Sequence, residues 1–186
     1  MYLLISITFI VIVVGGTIIG VFNRFALNRN KVKDSWSNID VALRRRHDLI
    51  PNLIATVRGY AQHEKETFNR VTEARNVALM ASGADINQQV QAENALQRSL
   101  RGLFALSEAY PDLKANLNFL DLQQKLDHIE ENLERSRRFY NSMVRNNNTY
   151  GESFPGVFFK GLFHYQPFEF FEANQDEREI VQVDFN

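Results

Sequence analysis

The feature that most limits what this chain can fold into is its start: 21 consecutive residues, from Tyr2 to Phe22, carry no charged side chain. As a helix rising ~1.5 Å per residue, such a run crosses roughly the 30 Å hydrocarbon core of a bilayer. A cleaved signal peptide is the competing reading. However, no Lys or Arg precedes the run, it exceeds an ordinary h-region, and no small-x-small cleavage site follows it. A retained anchor over residues 1–23 is expected. Arg24, Arg29, Lys31 and Lys33 come next, against Asp34 alone. The positive-inside rule then predicts a single-pass protein of the cell inner (cytoplasmic) membrane, with its N-terminus outside and everything after Phe22 in the cytoplasm. Within the anchor, Gly16 and Gly20 form a GxxxG pair that would let a second helix pack closely, which leaves a homo-oligomer open. Incidental glycine, common in membrane helices, is the blander explanation.

Beyond residue 30 apolar residues recur in steps of three and four, the spacing of a helical stripe. One stretch takes Val32, Trp36, Ile39, Leu43, Arg46 and Ile50; a second takes Leu53, Val57, Tyr60, Glu64, Thr67, Val71, Ala74 and Ala78. A third takes Leu96, Leu100, Leu103 and Tyr110, and a fourth Leu122, Leu126, Ile129, Leu133, Ser136, Tyr140 and Met143. Strand-like alternation is absent from all four. Ala81–Asp85 has the small and turn-forming residues of a loop, and Pro111 suits the first position of a helix. Asp48-Leu49-Ile50-Pro51 either kinks one long helix or starts a new one, because proline lacks a backbone donor and clashes with the carbonyl four residues back. A turn is expected there, since one helix from residue 24 to 81 would extend about 85 Å.

These signals predict an all-α chain: a single N-terminal transmembrane helix followed by an antiparallel four-helix up-and-down bundle over residues 24–150. The expected bundle helices run about 24–48, 51–81, 86–109 and 112–146. Residues 151–186 form an aromatic segment and an acidic tail. The segment packs eight rings between Phe154 and Phe171. Phe158, Phe159 and Phe163 are its candidate membrane-surface contacts, with Lys160 among the headgroups. The alternative folds the rings over an exposed bundle face. Pro155 and Pro167, which preclude one clean amphipathic helix, favour that alternative.

No chemistry stands out. The chain has no cysteine, which excludes thiolate metal sites and a cysteine nucleophile. The residues three before His47, His63, His128 and His164 are Arg44, Tyr60, Lys125 and Gly161, so no Glu-x-x-His of a di-iron bundle occurs. Position 67 is Thr, so His63-Glu64 does not continue into a zinc-protease helix. No phosphate-loop or GxSxG string is present. Neither catalytic residues, cofactor nor metal are predicted. With 21 Lys and Arg against 22 Asp and Glu, the net charge of −1 gives no attraction to nucleic acid. The basic run Arg44-Arg45-Arg46 reads best as salt bridges or a solvated face. Arg46 and Glu64 fall on apolar stripes, where an isolated buried charge is too costly, so Arg46, His47, His63 and Glu64 are a candidate polar network.

The strings Ser35-Trp36-Ser37-Asn38-Ile39-Asp40-Val41, Arg45-Arg46-His47-Asp48-Leu49-Ile50-Pro51-Asn52-Leu53 and Tyr60-Ala61-Gln62-His63-Glu64 resemble the LemA family of bacterial membrane proteins. So do Val71-Thr72-Glu73-Ala74-Arg75, Glu108 through Asn116, Asn118-Phe119 with Leu122-Gln123, Arg137, Tyr140-Asn141 and Phe154-Pro155. The resemblance implies one N-terminal membrane helix with a cytoplasmic antiparallel helical bundle. It implies no established enzyme activity and carries over no catalytic residues. The expected function is that of a non-catalytic interaction or scaffold module at the cytoplasmic face of a bacterial membrane, with an unidentified protein partner. Two alternatives stand: a lipid-binding or membrane-remodelling protein acting through residues 154–171, and an enzyme with an unrecognised polar site.

Overall fold

A computed structural model describes residues 1–171; the acidic tail expected from Glu172 to Asn186 lies outside the described residues. Among them every regular element is helical: α1 (Tyr2–Arg58), α2 (Lys65–Met80), α3 (Ile86–Ser107), α4 (Pro111–Lys114), α5 (Leu117–Glu152) and α6 (Gly156–Phe159). The all-α class and the long apolar helix at the start are as the sequence predicts. The chain divides into two compact units, one of Met1–Asp40 with Arg135–Phe170, the other of Val41–Glu134 with Phe171.

In the first unit the start of α1 is long and apolar enough to cross a membrane, and almost none of it is buried. Leu3, Ile5, Phe9 and Ile12 all stand exposed. Its hydroxyls bond their own helix: Ser6 Oγ donates to the Tyr2 carbonyl at 3.0 Å, Thr8 Oγ1 to Leu4 at 2.9 Å and Thr17 Oγ1 to Val13 at 2.8 Å. Such back-bonding leaves little polarity for a solvent to satisfy. Further on, Val21, Phe25, Asn28, Val32, Ser35 and Ile39 are buried in steps of four and three, one face of α1. That face meets α5. The Phe25 and Tyr150 ring centroids are 4.9 Å apart, those of Trp36 and Tyr140 5.2 Å. Numbers rise along one helix as they fall along the other, so the two pair antiparallel.

In the second unit a core of Ile50, Leu53, Val57, Phe68, Val71, Leu96, Leu100, Leu103, Phe119 and Leu126 is drawn from α1, α2, α3 and α5. Leu113 of α4 joins it. Asp85 caps α3, its carboxylate accepting from the Asn87 amide at 2.9 Å, as the Ala81–Asp85 loop predicts. Gly83 supplies the positive φ of that loop, 83°.

Two boundaries differ from expectation. The turn at Asp48–Pro51 is absent: α1 runs through Pro51 to Arg58, and the chain turns instead at Gly59–Glu64. Proline at 51 removes the amide that would have bonded the His47 carbonyl. That carbonyl accepts instead from Arg75 Nε of α2, at 2.7 Å. A side chain from elsewhere replaces the lost donor, and the helix continues. The expected 112–146 helix is likewise divided. Pro111 opens only the single turn of α4, after which Asn116 starts α5 by accepting from the Phe119 amide at 3.0 Å.

Candidate functional site

The second unit buries a group of charges. Arg46 of α1 has no exposed surface and reaches two helices at once. Its Nη1 donates to Glu130 Oε1 of α5 at 2.6 Å, and its Nη2 pairs with Glu93 Oε2 of α3. His47 Nε2 lies 2.9 Å from the other Glu93 oxygen. The Glu93 side chain is fully buried, whereas that of Glu130 keeps 34% of its surface. Gln89, one turn before Glu93, points a buried Oε1 with no hydrogen-bond partner, and Arg46 Nε is likewise unmatched.

Electrostatics favour the charged forms of Arg46 and Glu93. Burial alone would lower the Arg46 pKa, but the charges of Glu130 and then Glu93 more than reverse this and raise it. Burial alone would raise the Glu93 pKa; contact with His47 and the charge of Arg46 bring it below the usual carboxylate range. Arg46 and Glu93 are thus paired charges sealed between helices, and Glu130 alone carries the group to the surface. The open depression of about 540 Å³ lined by Tyr60, Asp112, Ala115, Asn116, Leu117 and Asn118 contains none of these charges.

In the first unit the aromatic segment divides in two. Phe25 is buried among Tyr150 at 4.9 Å, Tyr165 at 5.3 Å and Phe163 at 5.9 Å, and Phe163 also meets Phe22 at 5.3 Å. Asn148 of α5 clamps the returning chain: its Nδ2 donates to the Phe168 carbonyl at 2.8 Å, and its Oδ1 accepts from the Phe168 amide at 3.0 Å. The same oxygen accepts from Tyr165 Oη at 3.2 Å. Gly151 leaves room for the Tyr165 ring, into which any Cβ would collide. Phe154, Phe158 and Leu162 stay bare. Nearby, burial and then the Glu169 carboxylate push the Tyr140 phenol up to about 12.

The sequence model of the LemA family matches residues 35–185, most of the chain. The chain belongs to the LemA family. Protein LemA of Metamycoplasma hominis is similar to it, 26% identical over 132 residues, which are 70% of this chain and 59% of that protein. The chain thus spans under two thirds of that relative's length. The LemA match takes in every residue of the charge group and the aromatic segment.

Of the residues singled out from sequence, the structure brings Arg46 and His47 together but sets Glu64 and His63 apart from them. Because α1 extends to Arg58, both fall beyond its end. Glu64 accepts from Tyr110 Oη at 3.2 Å, and His63 is exposed. A Cβ added at Gly16 or Gly20 would meet nothing within 4 Å among the described residues. Phe158 is exposed, but Phe159 and Phe163 are half-buried and stacked on each other, centroids 6.0 Å apart. Glu93 and Glu130 were not among the candidates. Extending the Leu96, Leu100, Leu103 stripe backwards by three and four residues lands on Glu93 and Gln89, a signal that was present. Glu130 carries no such signal, since Ile129 beside it fits the α5 stripe equally well.

Proposed function

We propose that this LemA-family chain is a non-catalytic, membrane-anchored helical module that holds its charged-core unit at a membrane surface for a protein partner. The observation that carries this reading is the bare apolar start of α1. A core helix would bury such side chains, whereas these are exposed in a helix with its hydroxyls bonded internally. Arg24, Arg29, Lys31 and Lys33 support a cytoplasmic location for the chain beyond Phe22. The buried pairing of Arg46 with Glu93 favours a structural over a catalytic role for that group.

The test is extraction and topology. Full-length protein in bacterial membranes should resist alkaline carbonate, whereas a chain lacking residues 1–22 should be released. A C-terminal phosphatase fusion, active only outside the cytoplasm, should be silent. Release of the full chain by carbonate would end the anchor reading, and an active fusion would reverse the orientation. In-membrane crosslinking of the full chain should capture one defined protein; a ladder of its own multiples would point to self-association through the span instead.

A further inference from the structure

We propose that the turn from Phe154 to Leu162 is a second membrane contact, with its bare side chains seated in the lipid interface where the α1 span ends; this rests on the anchor reading above. Depth comes first. Phe22 is the last apolar residue before the polar Asn23 and the first charge, Arg24, and the Phe163 ring packs against it, centroids 5.3 Å apart. The residues just before Phe163 therefore lie at the level where hydrocarbon gives way to headgroups. The second observation is the division of the segment's apolar side chains. Phe163 and Tyr165 are used on Phe25, whereas Phe154, Phe158 and Leu162 are left 79%, 76% and 64% exposed. The Phe154 and Phe158 rings touch each other, centroids 5.8 Å apart, and form one patch.

Such a patch costs least where aromatic rings belong, at the boundary of a bilayer. The neighbouring charges suit anionic headgroups: Lys160 lies within the turn and Arg24 just past Phe22, both exposed. Asn148 clamps the strand of chain at Phe168 and so keeps the patch from drifting away from Phe22. A lipid surface is already present at this depth if α1 spans; a protein partner would have to displace it.

The absence of cysteine makes the test direct. Phe158→Cys and Leu162→Cys, each carrying a nitroxide, are read in the full chain reconstituted into vesicles of phosphatidylethanolamine and phosphatidylglycerol. Val14→Cys reports the span. Ser142→Cys, eight residues before Tyr150 on α5, reports an exposed polar face of the same unit. Collisions with oxygen, which concentrates in lipid, are compared with those of a water-soluble nickel chelate. The expected result is a several-fold higher oxygen-to-nickel ratio at 158 and 162 than at 142. Ratios at 158 and 162 equal to that at 142, with a lipid value at 14, would overturn this inference and leave the anchor standing. Water-like values at 14 as well would overturn both. Both side chains are largely exposed, and Phe158→Cys gives up only the contact with the equally bare Phe154 ring, so unchanged far-ultraviolet dichroism checks that the fold is intact.

Discussion

Arg46 is the residue on which the second unit turns, since one guanidinium serves carboxylates from α3 and α5. Removing one partner of a buried pair costs more than the pair contributes, because a charge is left behind without compensation. Arg46→Met should lower stability by about 3–5 kcal/mol, read by chemical denaturation. Adding Glu93→Leu to it should recover part of the loss; a further full-sized loss would mean the two do not act as a pair. Acidification makes a second test. The Glu93 carboxyl titrates below its unfolded value in the folded chain, so its contribution is present above the ordinary carboxylate range and disappears as pH falls through the folded value. The melting temperature should fall on acidification over that range, and Glu93→Gln should flatten the fall. Gly151 is a different kind of constraint, set by space. Gly151→Ala should dislodge the Tyr165 ring, seen as loss of protection in the aromatic segment while the α2 and α3 amides keep theirs.

At the scale of the element, α1 and α5 are set by donors and acceptors as much as by apolar stripes. The pairing of Arg75 Nε with the His47 carbonyl exists because Pro51 has no amide to offer. Arg75→Ala should therefore cost about 1–3 kcal/mol in the natural sequence, the penalty of an unsatisfied buried acceptor. In a Pro51→Ala background it should cost clearly less, because the restored amide takes the carbonyl. Equal costs in the two backgrounds, measured as a double-mutant cycle, would break the link. Asn116→Ala should cost about 1 kcal/mol by removing the cap of α5, and Asn116→Asp should retain most of it. The helices themselves were legible from steps of three and four. Their ends were less so: a proline reads as a break unless the side chain that compensates for it is known, and Arg75 is 28 residues away from His47.

For the whole molecule, a long apolar run and sustained helical periodicity sufficed to predict an all-α chain that opens on a long apolar helix, because both depend only on local spacing. The charge group was half legible. Arg46 stands out on its stripe and Glu93 lies on the α3 stripe extended backwards, but Glu130 carries no such signal, and the pairing of residues so far apart in sequence leaves no local mark. Arg75 also bears on how the chain must fold. The residues from Asn52 to Arg58 continue a helix whose connection across Pro51 is completed only when α2 arrives. The end of α1 and the docking of α2 are therefore predicted to form together, and Arg75→Ala should slow folding rather than only speed unfolding in stopped-flow kinetics. A helix that is continuous in the native state thus owes its join at Pro51 to an arginine from the next helix.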